Sequence, residues 1–240
     1  MSPLLCCWGR WGRVAGMPRR PRNAAGGVVY HAINRGNARM RIFHKAQDYR
    51  SFLELMVDGL KRVDMRVLGF CLMPNHWHMV LWPRRDADLS AYLGWIANTH
   101  VRRWQLHHDK VGHGHLYQGR FKAFPTQDDS HLLTVLRYVE ANAFRAGLVE
   151  RAEDWPHSSM FLRRTAPQSR LLHAWPVDRP AHWLELVNEP LAAKQLEKLQ
   201  LSVARSRPFG GADWQERMAR ELGLESSLKD PWRPRKAGPK

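Results

Sequence analysis

The stretch Arg66 to Trp82, R-V-L-G-F-C-L-M-P-N-H-W-H-M-V-L-W, decides the fold. It holds two apolar, strand-forming runs, Arg66 to Leu72 and His76 to Trp82, parted by Met73-Pro74-Asn75. Proline cannot donate to a strand ladder and asparagine favours turns, so the break predicts a tight hairpin. Upstream, Val28 to Asn34 is a β-branched and aromatic run that ends at Arg35-Gly36-Asn37. From Ala46 to Arg62, Phe52, Leu53, Leu55, Met56 and Leu60 recur at helical spacing behind Asp48, which complements the helix dipole. Downstream, Asp88 or Ser90 caps a long amphipathic pattern reaching Leu106, and Leu116 to Thr126 alternates as a fourth strand.

Asp128, Asp129 and Ser130 then cap a helix from His131 to about Arg145, whose apolar face is Leu132, Leu133, Val135, Leu136 and Val139. Strand, helix, strand, strand, helix, strand predicts an α+β fold: a ferredoxin-like βαββαβ antiparallel sheet with helices on one face and a further helix appended. Proline punctuates residues 165 to 190, and Leu191 to Ser206 and Asp213 to Leu222 each support a short helix about Pro208-Phe209-Gly210-Gly211. The expected organisation is a basic arm over 1–27, a main domain over 28–160, a linker over 161–190, a helical DNA-binding extension over 191–228 and a basic tail over 229–240.

Composition narrows the partner. The 240 residues carry 38 Lys plus Arg against 22 Asp plus Glu, a net charge of +16 and a pI near 10.6. That excess predicts a polyanion, with nucleic acid the leading choice. With 44% hydrophobic residues, 11 Trp and 8 Phe, the chain is too rich in apolar and aromatic residues for wholesale disorder. The uncharged run Val67 to Pro83 is broken by Pro74, Asn75 and two histidines, so no membrane span is expected. Cys6, Cys7 and Cys71 form no CxxC pair, and Cys71 reads as a buried thiol. Arg10 and Arg13 follow rather than precede the short apolar start, which fails as a signal peptide and predicts a cytoplasmic, nucleoid-associated protein.

The sharpest chemical feature is His76-Trp77-His78. Residues two apart on a strand face the same way, so two imidazoles about 7 Å apart at the backbone can converge on one divalent cation while Trp77 packs on the other face. Two surface histidines would read the same, and no HExxH, CxxC or acidic cluster completes a zinc site. On the third helix Tyr138 and Asn142 stand four apart, hence on one face, where they present a phenol and an amide together. A tyrosine at a core edge and an asparagine near a helix end would give that pattern too.

Four ordered segments carry a resemblance: H-A-I-N-R-G (31–36), M-P-N-H-W-H-M-V-L (73–81), Y-Q-G-R-F-K (117–122) and L-R-Y-V-E-A-N-A-F-R-A-G-L-V (136–149). They resemble the REP-associated tyrosine transposases, single-tyrosine HUH enzymes, over about half the chain from Val28 to Ser159. The resemblance implies that Tyr138 is the nucleophile, that His76 and His78 are metal ligands and that Asn142 occupies a third ligand position, with Mg²⁺ or Mn²⁺ as the cofactor. It further implies a single-stranded DNA endonuclease and strand transferase that cuts near hairpin-forming repeats through a 5′-phosphotyrosine, working as a monomer or homodimer. Ala143 departs from the proline usual after the asparagine in this family.

Among the other tyrosines, Tyr30 and Tyr92 read as core, Tyr49 as a helix flank, and Tyr117 as the competitor, set in a basic, aromatic strand suited to stacking single-stranded DNA. Arg35, Arg120, Lys122, Arg137 and Arg145 are candidate phosphate contacts. The other reading is a non-catalytic DNA-binding protein. An HNH nuclease lacks its second histidine element, and a replication initiator would carry more acidic ligands. Met17 precedes the basic run Pro18 to Arg22 and reads as the start of translation. N-terminal peptide mapping of protein expressed from its own promoter is expected to begin at Met17 or Pro18, and a Met1 peptide would refute this.

Overall fold

Four strands pair in the order β2-β3-β1-β4, every neighbour antiparallel, in a computed structural model that describes residues 24–229. The N-terminal arm before Ala24, the start at Met17 and the basic tail after Lys229 lie outside the described residues. The strands are β1 (Val29–Arg35), β2 (Met65–Met73), β3 (His76–Pro83) and β4 (Lys122–Thr126). The β2–β3 hairpin closes at Pro74-Asn75 with Met73 opposite His76, as the sequence break predicts. Between the strands run α1 (Ala46–Leu60) and α2 (Asp88–His107). The βαββαβ order with this strand arrangement is the expected ferredoxin-like sheet.

Both faces of that sheet are covered. Tyr30 and Ala32 of β1 and Trp77, Met79 and Leu81 of β3 pack with α1 and α2 on one side. Val29, Val80 and Phe124 pack on the other side against α3 (Ser130–Glu140). The appended helix therefore builds a second core rather than extending the first. A bulge between Val67 and Gly69 shifts the parity of β2, so that Leu68 and Cys71 join the α3 core while Val67 and Phe70 join the other. Because both faces are buried, β2 reads in sequence as one apolar run without alternation.

Three local expectations shift. The fourth strand begins only at Lys122; Tyr117 touches the sheet through one isolated bridge to Gly36, and Gln118 N donates to Arg35 O at 2.9 Å before the chain leaves the ladder at Gly119. The α2 cap is Ala87, at φ 66°, with Asp88 accepting from Arg85 N just outside the helix. The third helix is interrupted at Ala141, and α4 (Asn142–Arg145) follows as a separate turn. Asp129 does cap α3, accepting from His131 N.

The later chain wraps this core. The helices α5 (Ser159–Thr165), α6 (Trp183–Asn188), α7 (Ala193–Arg205), α8 (Ala212–Leu222) and α9 (Glu225–Leu228) follow. Glu140, fully buried, ties α3 to them: it accepts from Ser159 Oγ at 2.6 Å and from Trp183 Nε1 at 2.8 Å, with Arg163 4.0 Å away. A buried carboxylate is tolerable only with such partners. At the far edge Phe209 N donates to Pro125 O and Gln127 N to Phe209 O, both at 2.9 Å, which seats the α7–α8 connection on β4. No helix among the described residues is long and apolar enough to cross a membrane.

A polar network lies inside the α1/α2 core. The Tyr117 hydroxyl accepts from Trp77 Nε1 at 3.1 Å and lies 2.7 Å from His100 Nδ1. Burial lowers the His100 pKa to about 3, below its ordinary 6.5, so the folded chain holds a neutral imidazole where the unfolded chain takes a proton. The stabilisation is complete above about pH 6.5 and drains as pH falls toward 3, at up to roughly 1.4 kcal/mol per pH unit. Unfolding titrations are expected to show this decline, and His100→Gln is expected to make it shallower; an unchanged slope would remove His100 from the account.

Candidate active site

The antiparallel register of β1 and β3 sets Ile33 opposite His78 and Arg35 opposite His76. Side chains of alternate residues share a face, so His31, Ile33 and Arg35 of β1 lie on the same side as His76 and His78 of β3. Across that side runs α3, and it delivers Tyr138. The Tyr138 ring centroid is 5.8 Å from that of His78 and 6.1 Å from that of His31, both edge-on. The His76 and His78 centroids are 5.0 Å apart. Helix, hairpin and central strand thus converge on one point.

The sequence reading missed His31. Its Nε2 lies 2.8 Å from His78 Nδ1, in rings tilted by only 5°, and it is wholly buried. Its signal was available, since His31 shares strand parity with Arg35, but the strand order that puts β1 beside β3 is a tertiary fact. When His78 Nδ1–H is the donor, the His78 Nε2 lone pair is left to bind a cation. The His31 proton then sits on Nδ1, which is buried without a partner among the described residues.

At His76 the tautomer follows from a chain of contacts. Asn75 Nδ2 donates to Arg39 O at 3.2 Å, which turns Asn75 Oδ1 toward His76 Nδ1 at 2.6 Å. That nitrogen carries the proton, so Nε2 presents a lone pair. Burial, reinforced by Arg35, lowers the His76 pKa to about 4. Burial likewise lowers His31 to about 3, and burial with His31 and His76 nearby holds His78 well below its ordinary value. All three imidazoles are neutral at neutral pH, the form that coordinates metals.

Asn142 opens α4 directly after the break, and its amide nitrogen is buried with no partner among the described residues. No group of three His, Cys, Asp or Glu residues able to hold a metal occurs among the described residues. Two neutral imidazoles, with an amide oxygen available on Asn142, suit a divalent cation that leaves coordination positions for substrate oxygens; they do not make a closed zinc site.

The basic residues separate into two groups. A cavity of about 360 Å³ opens beside Tyr138, lined by Arg35, Arg120 and Lys122 and walled on its outer side by Gln200, Val203 and Ala204 of α7. The Arg145 guanidinium sits 4.3 Å above the Tyr138 ring. Arg137 is engaged elsewhere: Nη2 donates to the carbonyls of Glu189 and Pro190 at 3.1 and 3.2 Å, so it fastens the chain before α7 instead of facing this cavity. Tyr117 is also placed apart, with its hydroxyl enclosed by Trp77 and His100 in the opposite core and its pKa pushed up by burial.

Comparison with known proteins bears on the fold and the family. Residues 25–142 match the family model described as "Transposase IS200 like". A solved structure, "Structure of the REP associates tyrosine transposase bound to a REP hairpin", is similar in fold at 17% identity and a TM-score of 0.51, covering 73% of this chain and 99% of that one. No curated protein matches. A quarter of this chain therefore lies beyond a relative that is matched almost end to end. Strand order, the histidine pair and the tyrosine helix fall inside the matched segment, and the chain belongs to the IS200-like transposase family, whose enzymes are HUH tyrosine transposases.

Proposed function

We propose that this chain is a divalent-metal-dependent single-stranded DNA endonuclease and strand transferase that cuts beside hairpin-forming repeat DNA, with Tyr138 as the nucleophile. The observation that carries the proposal is the placement of Tyr138 within 5.8 Å, ring to ring, of His78 at the edge of a cavity lined by Arg35, Arg120 and Lys122. A hydroxyl and cations lining one cleft, with neutral imidazoles beside the tyrosine ring, suit attack on a phosphodiester. The relative's REP hairpin supports hairpin DNA as the partner, and the net charge of +16 supports a place on the nucleoid. The histidines and the tyrosine belong to one chain, so a monomer holds a complete set.

In this reading Tyr138 Oη forms a bond to phosphorus as the bond to the 3′ oxygen breaks; the phenol loses its proton and the leaving oxygen gains one. The products are a 5′-phosphotyrosine and a free 3′ hydroxyl, and reversal by another 3′ hydroxyl joins strands. A tyrosine hydroxyl ionises only near pH ~10, so it needs help. Arg145 over the ring favours the developing phenolate, and Arg35, Arg120 and Lys122 orient the phosphate for in-line attack. His76 Nε2, His78 Nε2 and Asn142 would hold Mg²⁺ or Mn²⁺, with Mn²⁺ at least as effective because imidazole suits it better. Bound there, the ion would polarise a non-bridging oxygen of the scissile phosphate.

With labelled single-stranded repeat DNA and Mn²⁺, the chain is expected to give a denaturant-resistant adduct that Tyr138→Phe abolishes and Tyr117→Phe retains. An adduct surviving in Tyr138→Phe, or only salt-sensitive binding by the parent, would overturn the proposal. His31→Phe keeps a buried ring but removes the contact to His78 Nδ1. It is expected to weaken Mn²⁺ binding about 10- to 100-fold, measured by calorimetry; unchanged affinity would leave His31 a packing residue.

A further inference from the structure

A second cavity, of about 820 Å³, lies on the α2 side of the sheet. It shares Asn34, Gln118, Gly119 and Arg120 with the Tyr138 cavity as lining. The two meet around the edge of β1 left open where β4 begins late, at Lys122. Their chemistry differs. The Tyr138 side carries Arg35, Arg120 and Lys122, whereas the α2 side shares only Arg120 of these and is otherwise walled by Asn98, Gln105, His115 and Gln118 among small residues such as Gly94 and Ala97, with no carboxylate in its lining. Amides with little charge suit a nucleobase, as the cationic side suits a phosphate. The volume lies within the usual range of ligand sites.

Asn34 stands where the cavities meet. By strand alternation its side chain takes the α2 side, opposite to His31 and Arg35. It is 6% exposed, and its Oδ1 accepts from Arg35 N at 3.0 Å. A backbone N–H can only donate, so the amide orientation is fixed and Nδ2 faces away from that contact. Nδ2 has no partner among the described residues. Because Asn34 lines the cavity, this donor is open to an acceptor on a ligand there.

We infer that the α2-side cavity holds a nucleobase flanking the scissile phosphate and that Asn34 Nδ2 donates to an acceptor on its edge, which makes Asn34 a positioning and specificity residue. This rests on the nuclease reading above. It links the two cavities into one path: phosphate at Tyr138, base turned around the β1 edge toward α2.

The test is a cycle of protein and DNA changes on the full chain. Adduct formation is measured for the parent and for Asn34→Asp, which keeps the oxygen that accepts from Arg35 N and replaces only the donor. Substrates carry the normal base or an abasic residue at each position beside the mapped cut. At one position, base removal is expected to slow the parent about tenfold or more and Asn34→Asp less than twofold. Equal factors in both proteins at every position would overturn the inference and leave Asn34 a structural residue, even if Asn34→Asp is slower on all strands. If the parent makes no adduct on any strand, the nuclease reading itself fails and this site falls with it. Asn34→Ser, which has no amide, is expected to lose the same discrimination; retention of it by Asn34→Ser would also count against the assignment.

Discussion

The contact between His31 Nε2 and His78 Nδ1 at 2.8 Å is the constraint on which the site depends. It can form only if β1 lies beside β3, in a register that puts Ile33 opposite His78. That placement requires the crossover through α1 and the tight turn at Pro74-Asn75. The same register sends Trp77 to the other face, where it anchors the α1/α2 core and reaches Tyr117. One strand pair therefore sets the face that carries the histidines and a packing face at once. A one-residue slip would exchange them.

The chain divides its buried polarity by role. Glu140 is two residues from Tyr138 yet points into the protein, held by Ser159 and Trp183, and it fixes the helix that carries the tyrosine. His100 and Tyr117 form a closed set in the opposite core. At the site, by contrast, groups are left incomplete: His31 Nδ1 and Asn142 Nδ2 lack partners among the described residues. Satisfied polar groups stiffen the frame, whereas these two N–H groups are donors that an acceptor oxygen would complete.

Much of this was legible in the sequence. The hairpin about Pro74-Asn75, the cap at Asp129 and the succession of strands and helices along the chain follow from turn chemistry and apolar period. His76, His78 and Tyr138 stand out by spacing and by resemblance, and they do come together. What was not legible depends on distant contacts. His31 gains its partner only through strand order. Arg137 is drawn away by carbonyls more than fifty residues later. The helix break at Ala141 follows no glycine or proline in the sequence, and the late start of β4 has only Gly119 as a hint. The helix α6 falls in a proline-punctuated stretch whose apolar residues acquire meaning only when Trp183 meets Glu140.

The two margins of the sheet lead to a further consequence. Along β4, Phe209 bonds to Pro125 and Gln127. Along β2, His157 O takes Leu72 N, Val67 O takes His173 N, and the bulge carbonyl of Leu68 is taken by Arg163 and Trp175. Each border is thus occupied by the chain's own later segments, which deny a neighbouring molecule the open ladder needed to add a strand. The later chain works as edging along both margins of the sheet, and among the described residues it leaves neither border free for strand addition.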